Sequence, residues 1–332
     1  MEWKLIKGVG SQVNCSEGQS EYFAKEKEGR KAEWYALEDE NKVIAEVLLC
    51  YDPPEGSALT NFIKGRKNGS IEVLDGPIFL DGSKKVDASR AFFKLIEAKR
   101  KQHGISNCLL ERTNIPKEAL DAIEEGIYAY KKRLWATLVV DLEKEEKELY
   151  KNLKHSVHLG VNKARRQGLS LRQIKTDDEM CEIFSTNLAL FKEREREAVK
   201  KSKLQEWRAS RETNCKEYYV TELDGKILST VCLAIFGDKA LIEDFSYSVE
   251  CREKKIAASD FMIWELMLEM KRRGIKNFDL AGINPDPKSR KEFGIRNFKE
   301  KWGGEYIEYY EFFLEPRFFS LAKRIYRSVK DR

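Results

Sequence analysis

Two hydrophobic rhythms interleave along this chain. Short apolar runs bounded by turn residues alternate with stretches whose apolar positions recur every three or four residues, so strands and helices are mixed throughout. Glu33 to Leu37 and Val43 to Tyr51 read as paired strands, closed by the loop Asp52-Pro53-Pro54-Glu55-Gly56. Ile71 to Leu80 reads as a strand bent at Gly76-Pro77. Asp87 is placed as the cap of a helix running to about Gln102, with Phe92, Phe93, Leu95 and Ile96 on its apolar side and Gly104 as its stop. A short strand before the turn Asn114-Ile115-Pro116 and a further helix complete the first part.

The second part opens on the apolar strand Trp135 to Asp141. A helix over Lys144 to Leu153 leads to a basic helix, His155 to Gln167, ended by Gly168. Asp177 or Asp178 caps a long helix through Phe184, Leu188 and Phe191. Three strands follow, Tyr218 to Leu223, Ile227 to Phe236 and Ala240 to Tyr247, and Asp224-Gly225 between the first two is a hairpin signal. An apolar helix from Ser259 or Asp260 to Gly274 precedes the buried strand Asn277 to Leu280 and a Gly/Asn/Pro turn. A short basic segment, the Gly303-Gly304 break and the aromatic strand Glu305 to Leu314 close the unit. This element order is that of a GNAT-type acyltransferase unit, and the first part reads as a degenerate version of the same plan. The fold class expected is α+β.

Composition narrows the picture little. The 332 residues are 42% hydrophobic and 35% charged, which suits a soluble protein with a core, and no apolar run approaches a membrane span. The N-terminus lacks the apolar stretch of a secretory signal, so a cytoplasmic location is expected. Seven cysteines without a C-x-x-C pair and three histidines argue for reduced thiols and against a zinc site. The net charge of +5 favours an anionic partner without naming one.

The segment with most chemistry is Asp279-Leu280-Ala281-Gly282-Ile283-Asn284-Pro285 with Gly294-Ile295-Arg296-Asn297-Phe298-Lys299-Glu300-Lys301-Trp302-Gly303-Gly304-Glu305. It sets Arg296 and Lys299 beside Phe298 near a sheet-to-helix loop, where a rigid scaffold presents side chains to a substrate. Read without a relative, it is first of all an amphipathic helix with solvated lysines. The segment resembles the Fem family, the aminoacyl-tRNA-dependent transferases that build peptidoglycan cross-bridges. Gln19-Ser20-Glu21-Tyr22-Phe23-Ala24-Lys25-Glu26-Lys27 is similar to that family's N-terminal Q-S signature, with Phe23 at its Trp position. Asn162-Lys163-Ala164-Arg165-Arg166-Gln167-Gly168 is similar to its mid-chain basic helix end. Too few residues lie between Gly168 and Tyr218 for the coiled-coil arm that some members carry, so no arm is expected.

The resemblance implies site residues. Lys299 matches the family's F-K lysine and is the catalytic candidate, stabilising the oxyanion or the tRNA end; Phe298 would pack on the terminal adenosine, and Arg296 stands beside them. Lys27, with Lys25 as its competitor, and Arg196, or Arg194, would contact the diphosphate of the acceptor. Each has a plainer alternative, since Lys25-Glu26-Lys27-Glu28 and Glu193 to Arg196 also read as solvated helix faces. His158 stands where relatives carry arginine. Lys154, Lys163, Arg165 and Arg166 form a candidate nucleic-acid backbone patch. Gly76-Pro77 and Asp81 resemble the bend that lines the family's acceptor cleft, though a structural turn is the plainer role for them. The resemblance also implies two GNAT-like units in tandem, unit 1 over residues 1–136 completed by a C-terminal helix within 315–332 and unit 2 over 137–314, with a cation-lined cleft between them.

Transfer from an activated ester to an amine needs positioning and oxyanion stabilisation rather than a covalent enzyme intermediate. No cofactor and no metal are expected. The partners expected are aminoacyl-tRNA as co-substrate and a muramyl-peptide precursor, nucleotide- or lipid-linked, taken up by a monomer. The amphipathic tail Phe318 to Tyr326 suits either packing on unit 1 or contact with an anionic inner-membrane surface. The alternative is an acyl-CoA-dependent N-acyltransferase. Against it, Lys255 and Ala257 occupy positions where a CoA-binding loop has glycine to admit the pyrophosphate. A binding protein without turnover is the third possibility.

Overall fold

The computed structural model describes residues 2–11, 15–25, 29–54, 56, 69–105, 107–120, 129–187, 204, 207–208 and 210–315. The chain separates into two units, Met1–Trp135 with the described part of Glu308–Arg332, and Ala136–Ile307.

In unit 1 the sheet contains β1 (Glu2–Leu5), β2 (Lys31–Asp39), β3 (Lys42–Asp52), β4 (Ser70–Leu74) and β6 (Asn107–Thr113), followed by the returning strand Glu305–Glu315. The segment expected as one bent strand is two, parted at the cis Gly76-Pro77 bond, and Ile78–Phe79 (β5) pairs with β3. β2 and β3 are antiparallel from Lys31↔Tyr51 to Asp39↔Lys42, and β4 runs parallel to β6. The helix Lys85–His103 (α2, after the short α1, Glu21–Lys25) covers one face with Phe92 and Ile96 buried. It begins two residues before Asp87, and Gly104 stops it at φ +64° as expected. Asp81 caps the turn that precedes it by accepting from Ser83 N–H at 3.0 Å.

The Gln19-Ser20 pair has a structural task. β3 and β4 are paired from Asp52↔Ser70 to Cys50↔Glu72. Two steps further on, the fully buried Gln19 amide enters the ladder, accepting from Leu48 N–H at 2.7 Å and donating to Leu74 C=O at 2.8 Å. Its neighbour Gly18 lies against β4 so closely that an added Cβ would sit 2.0 Å from Leu74 O. Gly18→Ala must therefore push the turn off the strand. Overpacking of this kind costs about 3 kcal/mol, and we expect urea unfolding to show a loss of that size.

Unit 2 contains a sheet in the order β7 (Ala129–Asp141), β12 (Asn277–Asp279), β11 (Lys239–Tyr247), β10 (Lys226–Phe236), β9 (Lys216–Leu223) and β8 (Ser170–Gln173). Asp224 and Gly225 both take positive φ, +51° and +76°, and make the tight hairpin between β9 and β10. Four helices matter for the site. They are α3 (Glu146–Asn152), α4 (His155–Arg166), α7 (Ala258–Arg272) and α8 (Arg290–Lys299), with α5 (Asp177–Asn187) and α6 (Val249–Glu253) between. One face of the sheet buries Val231, Leu233 and Phe278 against Met262, Trp264 and Met267 of α7 and Val157 and Val161 of α4. The other buries Tyr218, Val220 and Cys232 against Met180 and Ile183 of α5 and Trp207. Each such side chain contributes about 2 kcal/mol on leaving water. The long helix expected through Leu188 and Phe191, and the C-terminal helix, lie outside the described residues beyond Asn187 and Glu315.

Candidate active site

The opening that holds the site is a strand divergence. β11 and β12 are parallel from Lys239↔Asn277 to Leu241↔Asp279, where their register ends, although β11 continues to Tyr247. A register shift between Cys232 and Leu233 leaves Glu243 as an extra residue on β11, and such a bulge bends its strand. Glu243 is held from the sheet's other side by Lys216 at 2.7 Å, an ion pair whose side chains are 16% and 3% exposed. Open α/β sheets bind ligands beyond the carboxyl ends of such strands.

Asp279 to Ile283, expected as a plain turn, is a second bulge. Asp279 faces Val139 on β7 and Ile283 faces Ala136, so the later segment has one residue more than its partner over the same stretch. Ala281 takes φ +62°, a left-handed conformation that a glycine adopts without strain. The Asp279 Oδ1 accepts from Ala281 N–H at 2.7 Å and also from the Thr137 hydroxyl. A left-handed alanine costs about 1 kcal/mol more than glycine there, so Ala281→Gly should raise the thermal midpoint by a few degrees, measurable by calorimetry.

Helix α8 stands over this bulge. Ser289 and Glu292 form a capping box at its start, and Asn284 donates to Glu292 at 2.8 Å. These bonds to Asn284, Lys288 and Ser289 bring the Glu292 carboxyl to about 2, so it stays ionised. At the far end Lys299 turns back and its Nζ donates to the Gly282 carbonyl at 2.9 Å. Burial lowers the Lys299 pKa to about 8, against a smaller opposing pull from the Asp279 carboxylate. Lys299 is thus a half-buried cation at the mouth of the strand divergence.

The other predicted residues fall in distinct settings. Phe298 packs its ring on Phe245 of β11 and Trp302, at centroid distances of 5.9 and 6.3 Å, with Lys301 Nζ 4.4 Å from its centre. Lys301 is itself paired with Asp260 of α7. Arg296 is engaged within the segment, donating to Glu300 at 2.7 Å and to the Pro285 carbonyl at 3.1 Å, so it ties α8 to the turn below. Lys27, Arg194 and Arg196 lie outside the described residues. Lys25 is exposed and paired with Glu21 at 2.9 Å. Sequence reasoning singled out Asp279 only as part of a motif and gave Thr137 no role, since a threonine in an apolar strand carries no signal of its own.

The basic helix α4 runs beside the same region. Lys154 N–H donates to Lys301 C=O at 2.9 Å, and Lys163 Nζ reaches Lys255 C=O at 3.2 Å. Arg165 is paired with Glu265 at 2.7 Å, while Lys154 and Arg166 are exposed. His158 stacks on Tyr150 at 4.3 Å and its Nε2 lies 2.6 Å from the Tyr150 carbonyl, a packing position rather than a surface one. In the loop before α7, Lys255 takes φ +51°, and Ala257 caps the helix without a side-chain bond.

Residues 151–299 match the model of the acetyltransferase (GNAT) domain family. The chain is similar to the crystal structure of FemX, with a TM-score of 0.69 at 14% identity over 94% of this chain and 97% of that one. It is also similar to a tandem GNAT protein from the clavulanic acid biosynthesis pathway, with a TM-score of 0.53 at 13% identity over 86% and 83% of the two chains. The fold is that of a tandem GNAT protein. A third likeness, with a TM-score of 0.52 at 16% identity over 88% and 87%, is to the C-terminal domain of a protein from Agrobacterium fabrum described as a lysylphosphatidylglycerol synthetase. No curated protein matches the sequence. At these identities the solved structures establish the fold alone. Among the described residues no helix is long and apolar enough to cross a membrane, and no group of metal-binding side chains is assembled.

Proposed function

We propose that this chain is an aminoacyltransferase that moves an amino acid from aminoacyl-tRNA to an amine of a cell-wall muramyl-peptide precursor. The observation that carries the reading is Lys299, a half-buried ammonium directed at a bulge carbonyl in the mouth between β11 and β12. Its position within a Phe298-Lys299 motif of Fem type, on a fold like that of FemX, supports it.

The chemistry asked of the residues is modest. The acceptor amine attacks the ester carbonyl, a C–N bond forms, and the carbonyl oxygen becomes an oxyanion. The C–O bond to the ribose then breaks, and the proton lost by the amine ends on the ribose oxygen. A preorganised cation in a partly dry site stabilises the charge that develops. A lysine near pKa 8 is cationic at neutral pH yet close enough to exchange a proton with the leaving oxygen. Phe298 and Phe245 supply an apolar wall beside it. The exposed Lys154 and Arg166 of α4 suit the phosphates of the tRNA end. No bound cofactor is needed for this route.

A second reading, acyl transfer from acyl-CoA, is favoured by the GNAT match over residues 151–299. It requires the start of α7 to accept a pyrophosphate past Lys255 and Ala257. Transfer assays with pools of charged tRNA and a muramyl-peptide acceptor, beside calorimetry with acetyl-CoA, separate the two. Transfer from charged tRNA with no heat from acetyl-CoA supports the proposal; tight acetyl-CoA binding with no tRNA-dependent transfer reverses it.

A further inference from the structure

We infer that Thr137 and Asp279 are positioning residues for Lys299, holding the bulge beneath it in the one register that offers the Gly282 carbonyl to its ammonium. The inference rests on the transferase reading for its catalytic consequence, and on the geometry of the bulge for the rest.

Thr137 stands on β7 opposite the two bulge residues Ala281 and Gly282, since Leu138 C=O accepts from Leu280 N–H at 2.9 Å and Ala136 exchanges bonds with Ile283 at 2.6 and 3.0 Å. With an extra residue on one side, no backbone pairing is available at this step. A side chain takes its place. The Thr137 hydroxyl, on a residue 8% exposed, donates to the Asp279 carboxylate and lies 3.0 Å from the Ala281 carbonyl. The same carboxylate oxygen accepts Ala281 N–H at 2.7 Å. Thr137 thus fixes the Asp279 carboxylate and the carbonyl of the left-handed Ala281 from β7, and the Gly282 C=O, next along the chain, accepts from Lys299 Nζ at 2.9 Å. Bulges recur next to active sites because they re-aim one group without disturbing the sheet on either side. Here the re-aimed group is a carbonyl, and what it holds is the cation.

The two residues act through Lys299 and touch no reactant, so the test must read Lys299 itself. Thr137→Val keeps the shape and removes the donor; Thr137→Ser restores it. In protein labelled with 13C-lysine, the Lys299 side-chain resonance is identified by its loss in Lys299→Arg. Thr137→Val should move that resonance toward the bulk-lysine position and lower kcat roughly ten- to a hundredfold, with KM for both substrates unchanged, as expected for lost orientation. Thr137→Ser should restore both. A Thr137→Val protein with a parent-like resonance overturns the inference, whatever its kcat. A moved resonance in a protein whose parent shows no aminoacyl transfer keeps the inference and rejects the transferase reading. If Thr137→Val does not fold, Thr137→Ala is judged by the same two readouts.

Discussion

At neutral pH a Lys299→Met enzyme should lose about a hundred- to a thousandfold in transfer rate and yet unfold at higher urea than its parent. Both effects have one cause. Burial lowers the Lys299 pKa from 10.5 to about 8, which means the fold tolerates the charge poorly. Above pH 8 and up to about 10.5 the unfolded chain binds the proton more readily than the folded one, so parent stability rises with pH across that window. Below it the full penalty is present. Methionine removes the charge, and the gain near neutrality is about 2 kcal/mol after allowance for partial exposure. It should vanish only as the pH rises past 10.5, above which the parent lysine is neutral in both states. Denaturation of both proteins across this range, beside single-turnover transfer rates, checks the pair of claims. An active site that holds an unfavourable charge trades stability for activity. The parent rate should also fall as pH rises through about 8, whereas Lys299→Arg, with a guanidinium that stays charged, should show no such fall. Equal stability of parent and Lys299→Met at every pH would remove the basis for this role.

Lys216→Met should destabilise unit 2 strongly. Lys216 lies beneath β11 and binds Glu243, the bulge residue, at 2.7 Å with both side chains largely buried. Removing the cation takes from the carboxylate its ion-pair partner, a loss of about 3–5 kcal/mol for a buried pair. The double variant Lys216→Met with Glu243→Met should recover most of that loss, because an apolar pair of similar volume replaces a buried ion pair at little cost. A double-mutant cycle in urea measures the coupling. If the single and double variants are equally unstable, Glu243 is not what Lys216 compensates. The double variant should also transfer more slowly than its stability suggests, since Glu243 marks the bend at which β11 leaves β12.

Much of unit 2 was legible because its signals are local. The Asp224-Gly225 hairpin, the Gly274 stop and the apolar spacing of Phe261, Ile263 and Trp264 each depend on neighbours within a turn or two of chain. Asp279, Phe298 and Lys299 were likewise visible, as a motif. The lysine's partner was not, because nothing in Asp279-Leu280-Ala281-Gly282 says that an added residue opposite Thr137 will turn a carbonyl toward a helix that ends 17 residues after Gly282. Arg296 looked like a free cation until Glu300 and Pro285 were seen to engage it. Gln19 looked like a signature, and its amide proved to be a rung of the β3–β4 ladder.

Alternation, capping and turn chemistry determined by themselves that strands and helices follow one another in the order of two GNAT units, since those preferences act between near neighbours in sequence. Where the strands part, which bulge faces the opening, and how far Lys299 is withdrawn from water were decided only by tertiary structure. Desolvation and hydrogen-bond register depend on atoms that the chain brings together from β7, β12 and α8, and on the distances between them.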